Sequence, residues 1–132
     1  MTSGECREND ETSRPPKPHP LDLEERTAAF GEAVIRFAKG MSYDAVGAPL
    51  ITQLVRSATS VGANYCEADD AGSRKEFRHR ISICRKEARE AKHWLRMVVA
   101  ADGRLREQAK PLWKEAKELN LIFSAIFRNT TP

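Results

Sequence analysis

The chain of 132 residues lacks a long apolar run, a cysteine framework and a glycine-rich loop. A membrane-spanning helix needs about 18 or more consecutive apolar residues, and none occur. Cys6, Cys66 and Cys84 are too few, and odd in number, for a disulfide scaffold. The glycines inside the periodic part of the chain stand alone, so no phosphate-binding glycine loop is present. We therefore expect no membrane protein, no disulfide scaffold and no such phosphate loop.

The chain also lacks a recognisable catalytic or metal-binding pattern. The histidines and cysteines show no C-x-x-C or H-x-x-x-H spacing, and no nucleophile motif is present. A Glu-x-x-His spacing occurs at Glu76–His79 and at Glu90–His93, but both copies fall on one predicted helix about 21 Å apart. They cannot form one site within a chain. We expect no enzyme activity, no catalytic residue, no metal, no cofactor and no small-molecule substrate.

The first 20 residues hold four of the seven prolines and almost no apolar side chains. We expect residues 1–21 to form a disordered, Pro-rich tail because they cannot bury enough apolar surface. They lack the apolar centre of a secretory signal, which together with free thiols predicts a cytoplasmic protein. We expect one domain over residues 22–128 and a short C-terminal tail over residues 129–132.

Four segments repeat apolar residues at helical spacing, and none alternates with the period of a strand. Asp22 is the predicted N-cap of the first segment, and Pro49 is expected at the first helical position of the second. Ser73 is the predicted cap of the third. The fourth contains Pro111, so its helix either begins beside that proline or begins earlier and is kinked there.

The third segment carries the longest apolar stripe. Its members alternate spacings of four and three residues: Phe77, Ile81, Cys84, Ala88, Ala91, Leu95 and Val98. Four amphipathic helices with short connections predict an all-α, up-down-up-down four-helix bundle. A helix-turn-helix is the alternative, although the third segment is too long for a usual recognition helix.

The net charge of +3 conceals a strongly basic third segment, because residues 73–97 carry nine basic and three acidic side chains. Six of the basic residues follow helical spacing along one flank of the apolar stripe: Arg74, Arg78, Arg85, Arg89, Lys92 and Arg96. Such a stripe predicts contact with the phosphates of RNA or DNA. A solvated face, or pairing with carboxylates of a neighbouring helix or subunit, is the alternative.

The opposite flank of the third segment mixes carboxylates with large apolar groups, which is typical of a protein interface. It comprises Glu76, Arg80, Ile83, Glu87, Glu90, Trp94 and Met97. Glu87 has no basic residue three or four positions away. Its ion-pair partner must therefore come from another helix or another subunit.

Three stretches, at residues 61–68 (VGANYCEA), 73–77 (SRKEF) and 87–95 (EAREAKHWL), resemble the bacterial four-helix-bundle family. It is also called the intervening-sequence protein family, after reading frames inside some large-subunit ribosomal RNA genes. The positions that match its motif are Asn64, Glu67, Ser73, Phe77, Glu87, Glu90, Trp94 and Leu95, with Gln53, Arg56 and Ser57 fitting the start of the second helix. The resemblance spans residues 22–128 and implies a homopentameric four-helix bundle without enzymatic activity.

These motif residues also have structural interpretations. Asn64 and Glu67 are expected to hydrogen-bond across the loop to the third segment. We thus expect a non-enzymatic oligomer, a pentamer according to the resemblance, that binds RNA or DNA through the third segment. The alternative is a protein-interaction or accessory subunit that binds no nucleic acid.

Overall fold

The computed structural model describes residues 22–131, so the predicted tail over residues 1–21 lies outside the described part of the chain. The described residues form four helices and no strand: α1 (Leu23–Lys39), α2 (Gly47–Asp69), α3 (Arg74–Ala101) and α4 (Arg106–Asn129). A 3-10 turn, Gly103–Leu105, precedes α4. The predicted all-α fold class is confirmed. No helix within residues 22–131 is long and apolar enough to cross a bilayer.

The helices pack in a ring in which each runs antiparallel to the next. In each packed pair, the residue numbers of the contacts fall along one helix as they rise along its neighbour. The contacts are Gly31–Thr59 and Thr27–Gly62 for α1 with α2, Arg56–Glu87 and Asn64–Arg80 for α2 with α3, and Arg85–Asn120 and Arg78–Thr130 for α3 with α4. Helix α1 also packs on α4 and completes the ring. This is the predicted up-down-up-down bundle.

An ion pair joins α1 and α4. Arg26 donates from Nε to Glu115 Oε2 at 2.7 Å and from Nη2 to Glu115 Oε1 at 2.9 Å. The hydrogen bond that Arg26 donates to Glu115 raises the pKa of the Arg26 guanidinium, which therefore stays charged. Glu118 lies 3.6 Å from the same guanidinium. Two carboxylates of α4 are thus drawn towards α1.

The predicted helix starts are confirmed at two caps. Asp22 Oδ1 accepts a hydrogen bond from Glu25 N at 3.4 Å, and Ser73 Oγ accepts one from Glu76 N at 3.1 Å. Glu76 Oε1 in turn accepts from Gly72 N at 3.2 Å. These bonds satisfy backbone N–H groups that have no partner inside the helix.

Pro49 lies further into its helix than the sequence predicts, whereas Pro111 agrees with one of the two predicted helix starts. Helix α2 begins at Gly47, where Asp44 Oδ1 accepts from the backbone N–H at 2.7 Å, so Pro49 is the third helical residue instead of the first. A proline is tolerated there because the first N–H groups of a helix have no internal partner. Helix α4 takes the earlier of the two predicted starts and contains Pro111. That proline removes one hydrogen bond close to the helix start.

The apolar stripe of α3 forms the centre of the core. Six of its seven members are fully buried: Ile81, Cys84, Ala88, Ala91, Leu95 and Val98. Phe77, the first member, is half-buried at the edge of the core. Burial raises the pKa of the Cys84 thiol to about 12, and its Sγ lies 3.5 Å from Val61 O. Cys84 is therefore a protonated core side chain, as the sequence predicts.

Candidate nucleic-acid interface

The two flanks of α3 face different helices. The mixed flank of carboxylates and apolar groups faces α2, whereas the basic flank faces α4. Since helix neighbours set the surroundings of each flank, the two sets of residues have different roles. The α2 side contains most of the polar motif residues.

A group of polar side chains, here called the α2–α3 seam, joins these two helices. It comprises Gln53, Arg56, Asn64, Arg80, Glu87, Glu90 and Trp94. The Arg56 guanidinium lies 3.2 Å from Glu87 and also pairs with Glu90. The indole N–H of Trp94 donates to Glu90 Oε1 at 3.3 Å. Of the two predicted sources of a partner for Glu87, another helix or another subunit, the structure shows another helix, which supplies Arg56.

The prediction that Asn64 bonds across to the third segment is also confirmed. Asn64 Oδ1 accepts from Arg80 Nη1 at 3.0 Å, and its Nδ2 donates to Ser60 O at 3.0 Å. Glu67, in contrast, is exposed, and no hydrogen bond joins it to α3 within residues 22–131. That part of the prediction is wrong. The remaining motif residues cap α3 (Ser73) or pack in the bundle (Phe77 and Leu95).

The predicted nucleic-acid stripe divides into two groups. Three of its members lie half-buried against aromatic rings of α4: Arg78 and Arg85 with guanidinium carbons 3.8 and 4.7 Å from the Phe127 centroid, and Lys92 with Nζ 5.4 Å from the Trp113 centroid. Arg78 Nε also donates to Thr130 O at 2.7 Å. Arg74, Arg89 and Arg96 are exposed. Packing on α4 therefore occupies half of the stripe and leaves the other half facing solvent.

Helix α4 contributes further cations that the sequence analysis did not single out. Arg106, Lys110, Trp113 and Lys117 follow spacings of four, three and four residues and so lie on one face. A groove of about 470 Å³, here called the α3–α4 groove, opens between this face and α3. Its lining residues are Leu95, Arg96, Val99, Ala100, Arg106, Ala109, Lys110 and Trp113. The helical spacing on α4 was the available signal for this site.

Charge is distributed unequally between the two halves of the bundle. Helices α1 and α2 carry four basic and five acidic residues, whereas α3 and α4 carry fourteen basic and six acidic residues. Glu87 and Glu90 of α3 pair with α2, and Glu115 and Glu118 of α4 pair with α1. Those four carboxylates therefore lie away from the outer α3–α4 face. On that face Glu107 pairs with Lys110 at 3.0 Å. The face between α3 and α4 is therefore strongly positive.

Residues 22–131 contain no cluster of three or more histidine, cysteine, aspartate or glutamate side chains placed to hold a metal ion. The two Glu-x-x-His copies are dispersed along α3. Glu76 accepts from Gly72 N at the start of α3, Glu90 belongs to the α2–α3 seam, and both histidines are exposed. These residues do not share a site.

Fold and surface together define an antiparallel four-helix bundle with one basic side. The family model described as 23S rRNA-intervening sequence protein matches residues 20–125, and the chain belongs to this family. It is similar, at 27% identity and a TM-score of 0.72, to a crystal structure of a Bacteroides thetaiotaomicron protein of unknown function from the S23 ribosomal protein family. That match covers 81% of this chain and 99% of the other. Among curated proteins no match is found.

Proposed function

We propose that this protein binds nucleic acid through the positive face formed by α3 and α4, without catalysing a reaction. The observation that carries the proposal is the convergence of exposed cations from two adjacent helices: Arg89, Arg96, Arg106, Lys110 and Lys117. A phosphodiester strand offers a row of negative charges and binds such a surface through release of its counterions. The family description names 23S rRNA, so RNA is the first probe.

The pairing within the bundle supports this assignment over the two simpler interpretations of the charge. Arg89, Arg96, Arg106 and Lys117 form no ion pair within residues 22–131, so pairing inside the bundle does not account for them. An ordinary solvated face carries carboxylates as well as cations, whereas four of the six carboxylates of α3 and α4 pair with α1 or α2 instead. A predominantly positive face whose cations are mostly unpaired raises the local concentration of polyanions.

Binding is expected to weaken steeply with salt. Five phosphate contacts give a slope of about −3.5 in log K against log salt for a single strand, because each contact contributes about 0.7. The Kd for a fluorescently labelled single-stranded RNA should therefore rise about 100-fold between 50 and 200 mM KCl. Fluorescence anisotropy measures it. A Kd that stays within twofold over this range contradicts phosphate contact and favours a protein-interaction subunit.

We further propose that the bundle assembles with copies of itself as a homopentamer. An apolar patch on α1, α2 and their connection supports self-association: Ile35 and Tyr43 are 40% and 74% exposed. Ile51 and Val55 line the depression beside them. Exposed apolar patches of this kind mark protein interfaces. The patch lies on helices other than those of the α3–α4 groove, so a second copy seated on it leaves the groove accessible.

Light scattering after size exclusion tests the assembly. The expected mass is about 74 kDa, five times the 14.8 kDa of one chain. Ile35→Ser combined with Tyr43→Ser should lower this mass, whereas Leu121→Ser, at a 55% exposed position on α4, should leave it unchanged. A monomeric wild-type protein overturns the assembly proposal, and an unchanged mass in the double variant overturns the patch as its interface.

A further inference from the structure

We propose that the α3–α4 groove binds an unpaired base of single-stranded nucleic acid, with Trp113 as the stacking surface and Arg96, Arg106 and Lys110 around it as phosphate contacts. The proposal rests on the proposed function above, which requires contact with phosphates alone. It adds a base-binding pocket and therefore a preference for unpaired strands. Trp113 was not among the residues that the sequence singled out.

The groove has the size and lining of a ligand site. Its volume of about 470 Å³ falls in the range of about 300–1,000 Å³ typical of small-molecule sites. Leu95 and Ala109 are buried beneath it, and Val99 is half-buried. The groove stays open because Ala100 and Ala109, on the two helices that border it, are too short to fill the space. An apolar floor inside a basic rim suits a flat aromatic group that carries a phosphate.

The indole of Trp113 has no structural hydrogen bond to explain its position. The other tryptophan, Trp94, donates its N–H to Glu90 in the α2–α3 seam, whereas no hydrogen bond of the Trp113 side chain occurs within residues 22–131. The ammonium groups of Lys92 and Lys117 lie 5.4 and 5.5 Å from the Trp113 centroid, near the limit of about 6 Å for cation–π attraction. Trp113 is thus an aromatic surface surrounded by positive charge.

The combination of an apolar floor, an aromatic ring and cations favours single-stranded nucleic acid over other anions. A free phosphate would use the cations but not the apolar floor, and the bases of a duplex are already stacked on one another. Single-stranded nucleic acid uses both parts, since its bases stack on aromatic side chains while its phosphates contact basic ones. Every base has a π face, so the pocket is expected to tolerate different sequences.

Binding of four probes to the full chain tests the proposal: an oligouridine, an oligothymidine, an abasic strand of equal length and charge, and an RNA duplex. Trp113→Leu keeps an apolar side chain but removes the aromatic ring. It should weaken oligouridine and oligothymidine binding about 5- to 150-fold, the range measured for loss of one stacked base. The abasic strand and the duplex should bind this variant as they bind the wild-type protein. Trp94→Phe is the matched control, and its affinity for each of the four probes should equal that of the wild-type protein.

Fluorescence gives a second measurement that does not depend on the stability of the Trp113 variant. In the Trp94→Phe protein Trp113 is the only tryptophan left. A base stacked on its ring should quench its emission, and the abasic strand should not. Equal affinity for abasic and base-containing strands, with unchanged emission, overturns the pocket but leaves electrostatic binding intact. Absence of binding to every probe at 50 mM salt overturns the proposed function and the pocket with it.

Discussion

Replacing Phe123 with alanine is expected to lower the free energy of unfolding by about 3–5 kcal/mol, the range found for large-to-small changes at buried aromatic positions. Phe123 is completely buried on α4, and its ring centroid lies 5.9 Å from that of Tyr65 on α2. The loss includes the transfer of the ring and the cavity left behind. Denaturant unfolding followed by far-UV circular dichroism measures the change.

Leu121→Ala is the matched control for this prediction. It removes an apolar side chain two residues away on the same helix, but Leu121 is 55% exposed. Its expected effect is within about 0.5 kcal/mol, as for most surface substitutions. Both variants must be compared at one protein concentration, since assembly would add to the apparent stability. Equal losses in the two variants, or a loss below about 1 kcal/mol for Phe123→Ala, would contradict the placement of Phe123 in the core.

The core was predictable because it depends on a local regularity. The spacings of four and three residues along α3 predict one buried face, and six of those seven side chains are fully buried. Caps are local as well, so the sequence predicts Asp22 and Ser73 as the caps that bond to Glu25 N and Glu76 N. Such features are properties of a single helix and its first turn.

The surroundings of each flank of α3 were not predictable, because they depend on which helix packs against it. Arg78 and Arg89 belong to one stripe in the sequence, yet Arg78 packs on Phe127 and Arg89 faces solvent. Their spacing separates two series, since Arg78, Arg85 and Lys92 recur every seven residues whereas Arg89 and Arg96 form a second such series. The spacing does not say which series packs on a neighbouring helix. The α3–α4 groove was missed for the same reason: it requires Trp113 and Arg96 to be neighbours across two helices.

The difference between arginines that pack on α4 and arginines that face solvent determines which of them are informative to change. Reversing the charge of Arg78 or Arg85 would remove the cation–π contacts with Phe127, and for Arg78 also the hydrogen bond to Thr130 O. Loss of binding would then be mixed with loss of packing. Arg89, Arg96, Arg106 and Lys117 are exposed and form no ion pair within residues 22–131, and of these four only Lys117 lies near a ring, 5.5 Å from the Trp113 centroid. Their substitution changes the surface charge with little effect on stability.

Replacing these four residues with glutamine is expected to weaken binding to single-stranded RNA about 100- to 1,000-fold at 100 mM salt. Four lost phosphate contacts lower the slope of log K against log salt by about 2.8. Because 100 mM is tenfold below 1 M, where the electrostatic contribution vanishes, log K at 100 mM falls by about 2.8 as well. Anisotropy titrations at several salt concentrations measure both quantities. The variant should therefore show a weaker affinity and a flatter salt dependence together, while its circular dichroism matches that of the wild-type protein.

The control for this variant separates position from total charge. Arg36→Gln with Lys39→Gln removes two exposed cations from α1, on the opposite half of the bundle. If the α3–α4 face holds the strand, this change should leave the salt slope unaltered and the affinity within about threefold, since charges beyond a Debye length of about 10 Å are largely screened at 0.1 M salt. If each α1 substitution weakens binding as much as each α3–α4 substitution, affinity follows net charge alone. The assignment of binding to this face would then be wrong.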